Sequence, residues 1–187
     1  MNENQIKYHN QLYYNISKDV GIVEIFGKED HPKIALAHEI CGFDNVYDID
    51  TNVPWCSSMM NLWILQTNYQ FNKAATQEMI IENGLGHCLS KIQEYAEGLK
   101  IYSDYLPEVP RPTWSAAASS WLNWGVDCKN VENSIAVFWR NGGNHVALFL
   151  KEIGNNISVL GGNQKNMVCV SNAYEKKNLL KTKIANI

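Results

Sequence analysis

Apolar positions recur at helical spacing through the first half of the chain and alternate through its last third. Leu12, Ile16 and Val20 predict a short first helix ending near Gly21, after a loose polar start over residues 1–10. Pro32 opens a second helix with Ile34, Leu36, Ala37 and Ile40 on one side, and Gly42 stops it. A polar loop, Asp44 to Asn52, leads to a third helix. Pro54 suits its first turn, where a missing N–H costs nothing, and Met59, Met60, Leu62 and Trp63 supply its apolar contacts. Ala74–Ile81 and Leu89–Leu99 are further helical stretches, separated by Asn83-Gly84-Leu85-Gly86. Pro107, Pro110 and Pro112 then force an extended connector, and Ser115–Trp124 reads as one more helix closed by Gly125.

After residue 130 the period changes to two. Ile135–Trp139 and His145–Lys151 are strands joined by the turn Asn141-Gly142-Gly143-Asn144. Gly154-Asn155-Asn156 signals a hairpin into Ile157–Leu160. Met167–Ser171 and Leu179–Ile184 complete the set of predicted strands. Helices first and an antiparallel sheet second is the α+β pattern. At 187 residues the chain fits a single domain, 1–187, large enough to bury a core.

Composition narrows the function. A net charge of -3 with 19% charged residues gives no footprint for nucleic acid. Cys41, Cys56, Cys88, Cys128 and Cys169 are odd in number and widely spaced, which argues against a disulfide framework and a zinc site. No run is long and apolar enough to cross a bilayer, and Met1–Gln5 is too polar to open a signal peptide. The expectation is a protein made in the cytoplasm that reaches any outside site of action by another route. Six Trp and nine Tyr are enough to pack a core and also line a groove for a sugar or peptide.

The candidate chemistry begins at Cys56. A thiol at a helix N-terminus meets unpaired N–H groups and the positive end of the helix dipole, both of which favour the thiolate. The same amides could hold an oxyanion on a carbonyl under attack. Alone, Cys56 reads as an inert core cysteine, and His145 as a structural histidine. Their joint order changes the reading. His145 opens a strand, and the next hairpin returns the chain so that residues 163–165 come back opposite it. Asn163 and Gln164 are the polar candidates there. Which one shares a face with His145 depends on loop length, because one step flips the side chain. Cysteine, histidine and amide then form a nucleophile, a base and an orienting group. Asp48, Asp50 and Asn52 alternate before the cysteine and offer oxygen ligands of the kind calcium takes. They are too few for a metal site and read as a solvated loop capping the helix. No metal and no cofactor are expected. His87 and Cys88 read as loop or core residues.

Pro54-Trp55-Cys56-Ser57-Ser58, Ser119-Ser120-Trp121-Leu122-Asn123-Trp124-Gly125, Asn144-His145-Val146-Ala147-Leu148-Phe149 and Val159-Leu160-Gly161-Gly162-Asn163-Gln164 resemble the blocks of the NlpC/P60-like, CHAP-related cysteine peptidases of bacteria and phage. The resemblance runs in order from about residue 12 to about 182. It implies a papain-like fold and hydrolysis of an amide bond in peptidoglycan. On it, Cys56 is the nucleophile, His145 the general base and Asn163 the polar residue after the histidine strand, expected to orient the imidazole with Gln164 second. Trp55, Gln164 and Trp124 are the expected substrate contacts. Asn144 stands where the family usually has Gly, and residues 66 to about 112 form a longer insert than usual. Such an enzyme would act in the periplasm or cell wall, as a holin-released endolysin or as an injected antibacterial effector with a cognate immunity protein. Acyl transfer or deamidation on a protein, and non-catalytic binding of wall glycans, are the alternatives.

Overall fold

The computed structural model describes residues 1–25, 31–43, 53–97, 101–102 and 104–187. Asp48, Asp50 and Asn52 lie outside them. Five α-helices precede a sheet among the described residues: α1 Glu3–Lys18, α2 Pro32–Ile40, α3 Cys56–Phe71, α4 Lys73–Glu82 and α5 Leu89–Ala96. The strands are β1 Val126–Cys128, β2 Ile135–Phe138, β3 His145–Ile153, β4 Asn156–Gly161, β5 Cys169–Glu175 and β6 Leu179–Ile184. They form a six-stranded sheet ordered β1-β6-β2-β3-β4-β5, antiparallel throughout. The α+β class and the order of helices before sheet match the reading of the sequence.

α3 is the axis of the helical layer. Every one of its residues is buried. A helix so enclosed must satisfy its polar side chains locally. Ser57 Oγ donates to the Ser115 carbonyl at 2.6 Å, and Asn61 Nδ2 donates to the same oxygen at 3.0 Å. Asn68 accepts from Tyr8 Oη on α1 and donates to the Pro110 carbonyl. At the other side, Asp19 at the end of α1 accepts from Trp63 Nε1 at 2.7 Å and pairs with Lys33 of α2 at 2.6 Å. Removing Asp19 alone would strand a buried ammonium, at a cost of about 3–5 kcal/mol.

The two faces of the sheet are distinct. Ile135, Val137, Val146, Leu148 and Leu160 join the helical core. Ala136, Phe138, Ala147, Phe149, Ile157 and Val159 form a second cluster on the opposite face, with Tyr174 and Leu179 packed on it. Phe138 pairs with His145, so His145 belongs to this second face together with Ala147 and Phe149.

Several elements differ from expectation, each for a local reason. The chain start is helical from Glu3, not loose. Asn2 accepts from the Gln5 amide and Gln5 Oε1 accepts from the Asn2 amide, a capping box that nucleates the first turn. α3 runs to Phe71, so the 66–112 segment begins inside a helix rather than as an insert from residue 66. Its remainder, with α4 and α5, is tied back by Asn72, whose Nδ2 donates to the Leu106 and Pro107 carbonyls. Ser115–Trp124 is not an α-helix. Its Ser115 carbonyl already serves Ser57 and Asn61, and only a short 3₁₀ segment, Ala118–Asn123, forms. β5 begins at Cys169 and reaches Glu175, later than Met167–Ser171. Asn163, Lys165 and Asn166 adopt left-handed backbone (φ 55, 57 and 59) and spend those residues on a turn.

Candidate functional site

Cys56 is the first residue of α3, with Trp55 as N-cap. Its sulfur is buried, and burial pushes the thiol pKa up. Four neighbours act against that shift: first the backbone amide of Val146, then the Arg140 guanidinium, then the amides of Ser57 and of Cys56 itself. All are the positive ends of dipoles or a full positive charge, so each favours the thiolate. Cys56 also lines a pocket of about 370 Å³. Its other walls are Val53 and Pro54, Ala116–Ser119, and the turn before β3 with Arg140, Gly142, Gly143 and Asn144.

His145 follows that turn directly. Its ring stacks on Tyr174 of β5, centroids 5.0 Å apart and planes at 15°. It is fully buried, and neither ring nitrogen has a hydrogen-bond partner among the described residues. Burial first, then Arg140, lowers its pKa to about 3, so the imidazole is neutral at physiological pH. A buried imidazole with both nitrogens unpaired carries a desolvation cost of about 1–3 kcal/mol per group. The expected pairing of thiol and imidazole is not made in this structure: the ring lies on the sheet face away from α3 and makes no hydrogen bond to Cys56. The two residues are joined through the Val146 amide and lie in the field of the same Arg140. Tyr174, whose phenol is pushed up by burial, also feels the Cys56 charge.

The structure separates the two amide candidates. Asn163 is half-buried in the turn after β4, with left-handed backbone. Gln164 is buried, and its Nε2 donates to the Gly161 carbonyl at 3.1 Å and the Cys169 carbonyl at 2.8 Å. Its Oε1 has no partner among the described residues. The glycine pair fixes which face it occupies. A Cβ on Gly161 would stand 2.8 Å from Ala147 Cβ and 3.4 Å from Gln164 Nε2. A Cβ on Gly162 would stand 2.5 Å from the Trp55 ring, on the other side. Gln164 therefore lies on the face of Ala147 and His145, and Trp55 on the face of α3. Both glycines are sterically required.

Trp55 and Trp124 are core residues, 1% and 7% exposed, rather than open binding surfaces. Trp124 Nε1 donates to the Arg111 carbonyl, and its ring packs on Trp121. Trp55 Nε1 is buried without a partner among the described residues. Arg140 and Tyr174 were not among the expected site residues. Arg140 falls between the predicted strand Ile135–Trp139 and the predicted turn Asn141–Asn144, with no periodicity to flag it, and Tyr174 lies beyond the predicted end of its strand.

A second group of reactive side chains lies at the junction of α2 and the 3₁₀ turn Gly86–Cys88. Glu39, His87 and Cys88 bring their ligand atoms within 4.8 Å of one another, and His87 Nε2 is 3.1 Å from Glu39 Oε1. A cysteine, a histidine and an acid so grouped are consistent with a thiol-dependent catalytic site in general, and also with metal ligation. Burial and the adjacent Glu39 carboxylate raise the Cys88 thiol to about 11. His87 is 60% exposed on its side chain. Among the described residues no helix is long and apolar enough to cross a membrane.

Compared with known protein families, with curated proteins and with solved structures, the chain gives no match.

Proposed function

We propose that the chain is a papain-like cysteine amidohydrolase of the NlpC/P60 and CHAP type that cuts an amide bond in peptidoglycan. The observation that carries this reading is the place of Cys56: the start of a buried helix, the wall of a pocket, and the backbone of the residue after His145. In the proposed reaction the sulfur attacks the scissile carbonyl, and neutral His145, which must turn from the far face of the sheet to reach it, takes the thiol proton. The oxyanion accepts from the Cys56 amide and its neighbours at the helix start. Collapse expels the amine with the proton from the imidazolium, and water then releases the acyl group from sulfur by the same route in reverse. Hydrogen bonds of empty catalytic sites commonly tighten only when substrate binds. Gln164, anchored through Nε2 and with Oε1 free of partners among the described residues, is the better placed of the two amides to orient His145 from its own face. Action in the periplasm or cell wall, after holin release or injection, belongs to the same proposal, as does an immunity protein partner for the injected form.

The test is digestion of purified sacculi, with mass spectrometry of the soluble products. Release of muropeptides carrying one new amine terminus, lost in Cys56→Ala, is the expected result. Intact sacculi with the wild-type protein would remove peptidoglycan as the substrate.

The Glu39–His87–Cys88 group supports a second reading, thiol chemistry centred on Cys88. There His87, paired with Glu39, would be the base. Loss of activity in Cys88→Ser with full activity in Cys56→Ala would select it.

A further inference from the structure

We infer that Glu39, His87 and Cys88 together hold a zinc ion, with solvent supplying its fourth ligand. This is separate from the reaction at Cys56, and as a ligand Cys88 is not the nucleophile of the second reading. Two segments build the group. The last turn of α2 brings Glu39, and the 3₁₀ turn Gly86–Cys88 between α4 and α5 brings His87 and Cys88. That turn is pinned by the Leu85 amide donating to the Ile80 carbonyl and the Cys88 amide donating to the Leu85 carbonyl. The three ligand atoms lie within 4.8 Å of one another, with His87 Nε2 3.1 Å from Glu39 Oε1. The Cys88 thiol also hydrogen-bonds to the Glu39 carboxylate. A tetrahedral zinc ion with nitrogen and oxygen at about 2.1 Å and sulfur at about 2.3 Å holds its ligand atoms about 3.3–3.6 Å apart. The fold thus brings these atoms near that spacing, and the exposed His87 side chain can close the remaining distance by turning. Charge fits as well. A carboxylate and a thiolate neutralise a divalent cation, and the mixed sulfur, nitrogen and oxygen set suits zinc rather than calcium or magnesium. Glu39 by itself opposes a thiolate at Cys88, but a cation between them attracts both anions. Lys91 acts on the sulfur in the opposite sense to Glu39, and more weakly. On binding, the Cys88 S–H bond gives way to a sulfur–zinc bond and the proton leaves to solvent. Cys88 is buried, Glu39 half-buried and His87 exposed, so the fourth position opens outward. The ion ties α2 to the start of α5.

The test starts from the full chain carrying Cys56→Ala, so that the thiol at the start of α3 takes no part. Stripped with a chelator and dialysed against zinc, this form should retain one ion per chain by plasma mass spectrometry. His87→Gln, Glu39→Gln and Cys88→Ser, each added to it, should weaken zinc binding about a hundredfold or more in competition with a chromophoric chelator. His87→Gln guards against a folding defect, because His87 is exposed. Cobalt(II) gives an independent readout: a thiolate-to-cobalt charge-transfer band in the near ultraviolet, absent in Cys88→Ser. Zinc should also raise the melting temperature, and His87→Gln should abolish that rise. No retained zinc, retention that survives any of the three substitutions, or cobalt binding without the charge-transfer band overturns the inference. None of these readouts depends on cleavage of peptidoglycan, so the zinc site and the amidohydrolase reading fail separately.

Discussion

Cys56 and Cys88 are both buried thiols with a histidine as near neighbour in the fold, yet their surroundings carry opposite signs. At Cys56 burial raises the thiol, and the Val146 amide, the Arg140 guanidinium and the first amides of α3 act against that rise. Beside Cys88 stands the Glu39 carboxylate, which opposes one and, with burial, lifts the thiol to about 11. The histidines differ as well. His145 is buried, neutral and without a partner on either nitrogen among the described residues, while His87 is largely exposed and paired with Glu39. A thiol, an imidazole and an acid in one place are therefore not sufficient for nucleophilic catalysis. Burial raises both thiols, and the charge that meets each sulfur works against that rise at Cys56 and with it at Cys88.

The sharpest way to break this contrast is substitution. Cys56→Ala should lower turnover on sacculi about a thousandfold or more with folding retained, while Cys88→Ser should stay within about threefold of wild type. A deep loss from Cys88→Ser in a folded protein would reverse the comparison. Next in size is the group that orients the imidazole. Gln164→Leu should reduce kcat about tenfold to a hundredfold, and Asn163→Ala less, with the difference read in kcat rather than KM. Charge at the two sulfurs can be read directly by alkylation with iodoacetamide at pH 8. Glu39→Gln should speed labelling of Cys88 several-fold, and Arg140→Gln should slow labelling of Cys56 by about the same factor.

The smallest effect is on stability against pH. His145 has a folded pKa near 3, below the ordinary histidine value of 6.5. Above pH 6.5 both folded and unfolded forms are neutral and the residue contributes no pH dependence. As pH falls from 6.5 towards 3, the unfolded chain takes a proton that the folded one refuses, so stability drops through that window. His9 and His38, held near 4 chiefly by burial, act in the same direction. His145→Gln should therefore flatten the fall of the melting temperature between pH 6.5 and 4 without abolishing it.

Much of this architecture was legible because it depends on local rules. Pro54 and the apolar run after Cys56 announced α3, and alternation with a glycine-rich turn announced β2, β3 and the position of His145. Elements that were misread depend on contacts from elsewhere. Ser115–Trp124 has helical composition, but Ser57 and Asn61 of α3 occupy the carbonyl that its first turn would need. β5 was displaced because three residues after Gly162 take left-handed backbone. The site follows the same division. Cys56 and His145 are visible as residue types at element starts. Within the proposal, the preference for Gln164 over Asn163 rests on a single step of strand parity, which only the Gly161–Ala147 and Gly162–Trp55 contacts reveal. Arg140 matters through its place beside the Cys56 pocket, and Glu39 meets His87 and Cys88 only through the packing of α2 on its neighbours.

Trapping the reactive sulfur tests the central claim most directly. A stem-peptide analogue bearing a thiol-reactive electrophile in place of the scissile amide would be incubated with the native protein and mapped by tandem mass spectrometry. The account predicts one adduct, on Cys56, lost in His145→Ala and absent from Cys41 and Cys88. An adduct on Cys88 with Cys56 unmodified would contradict it.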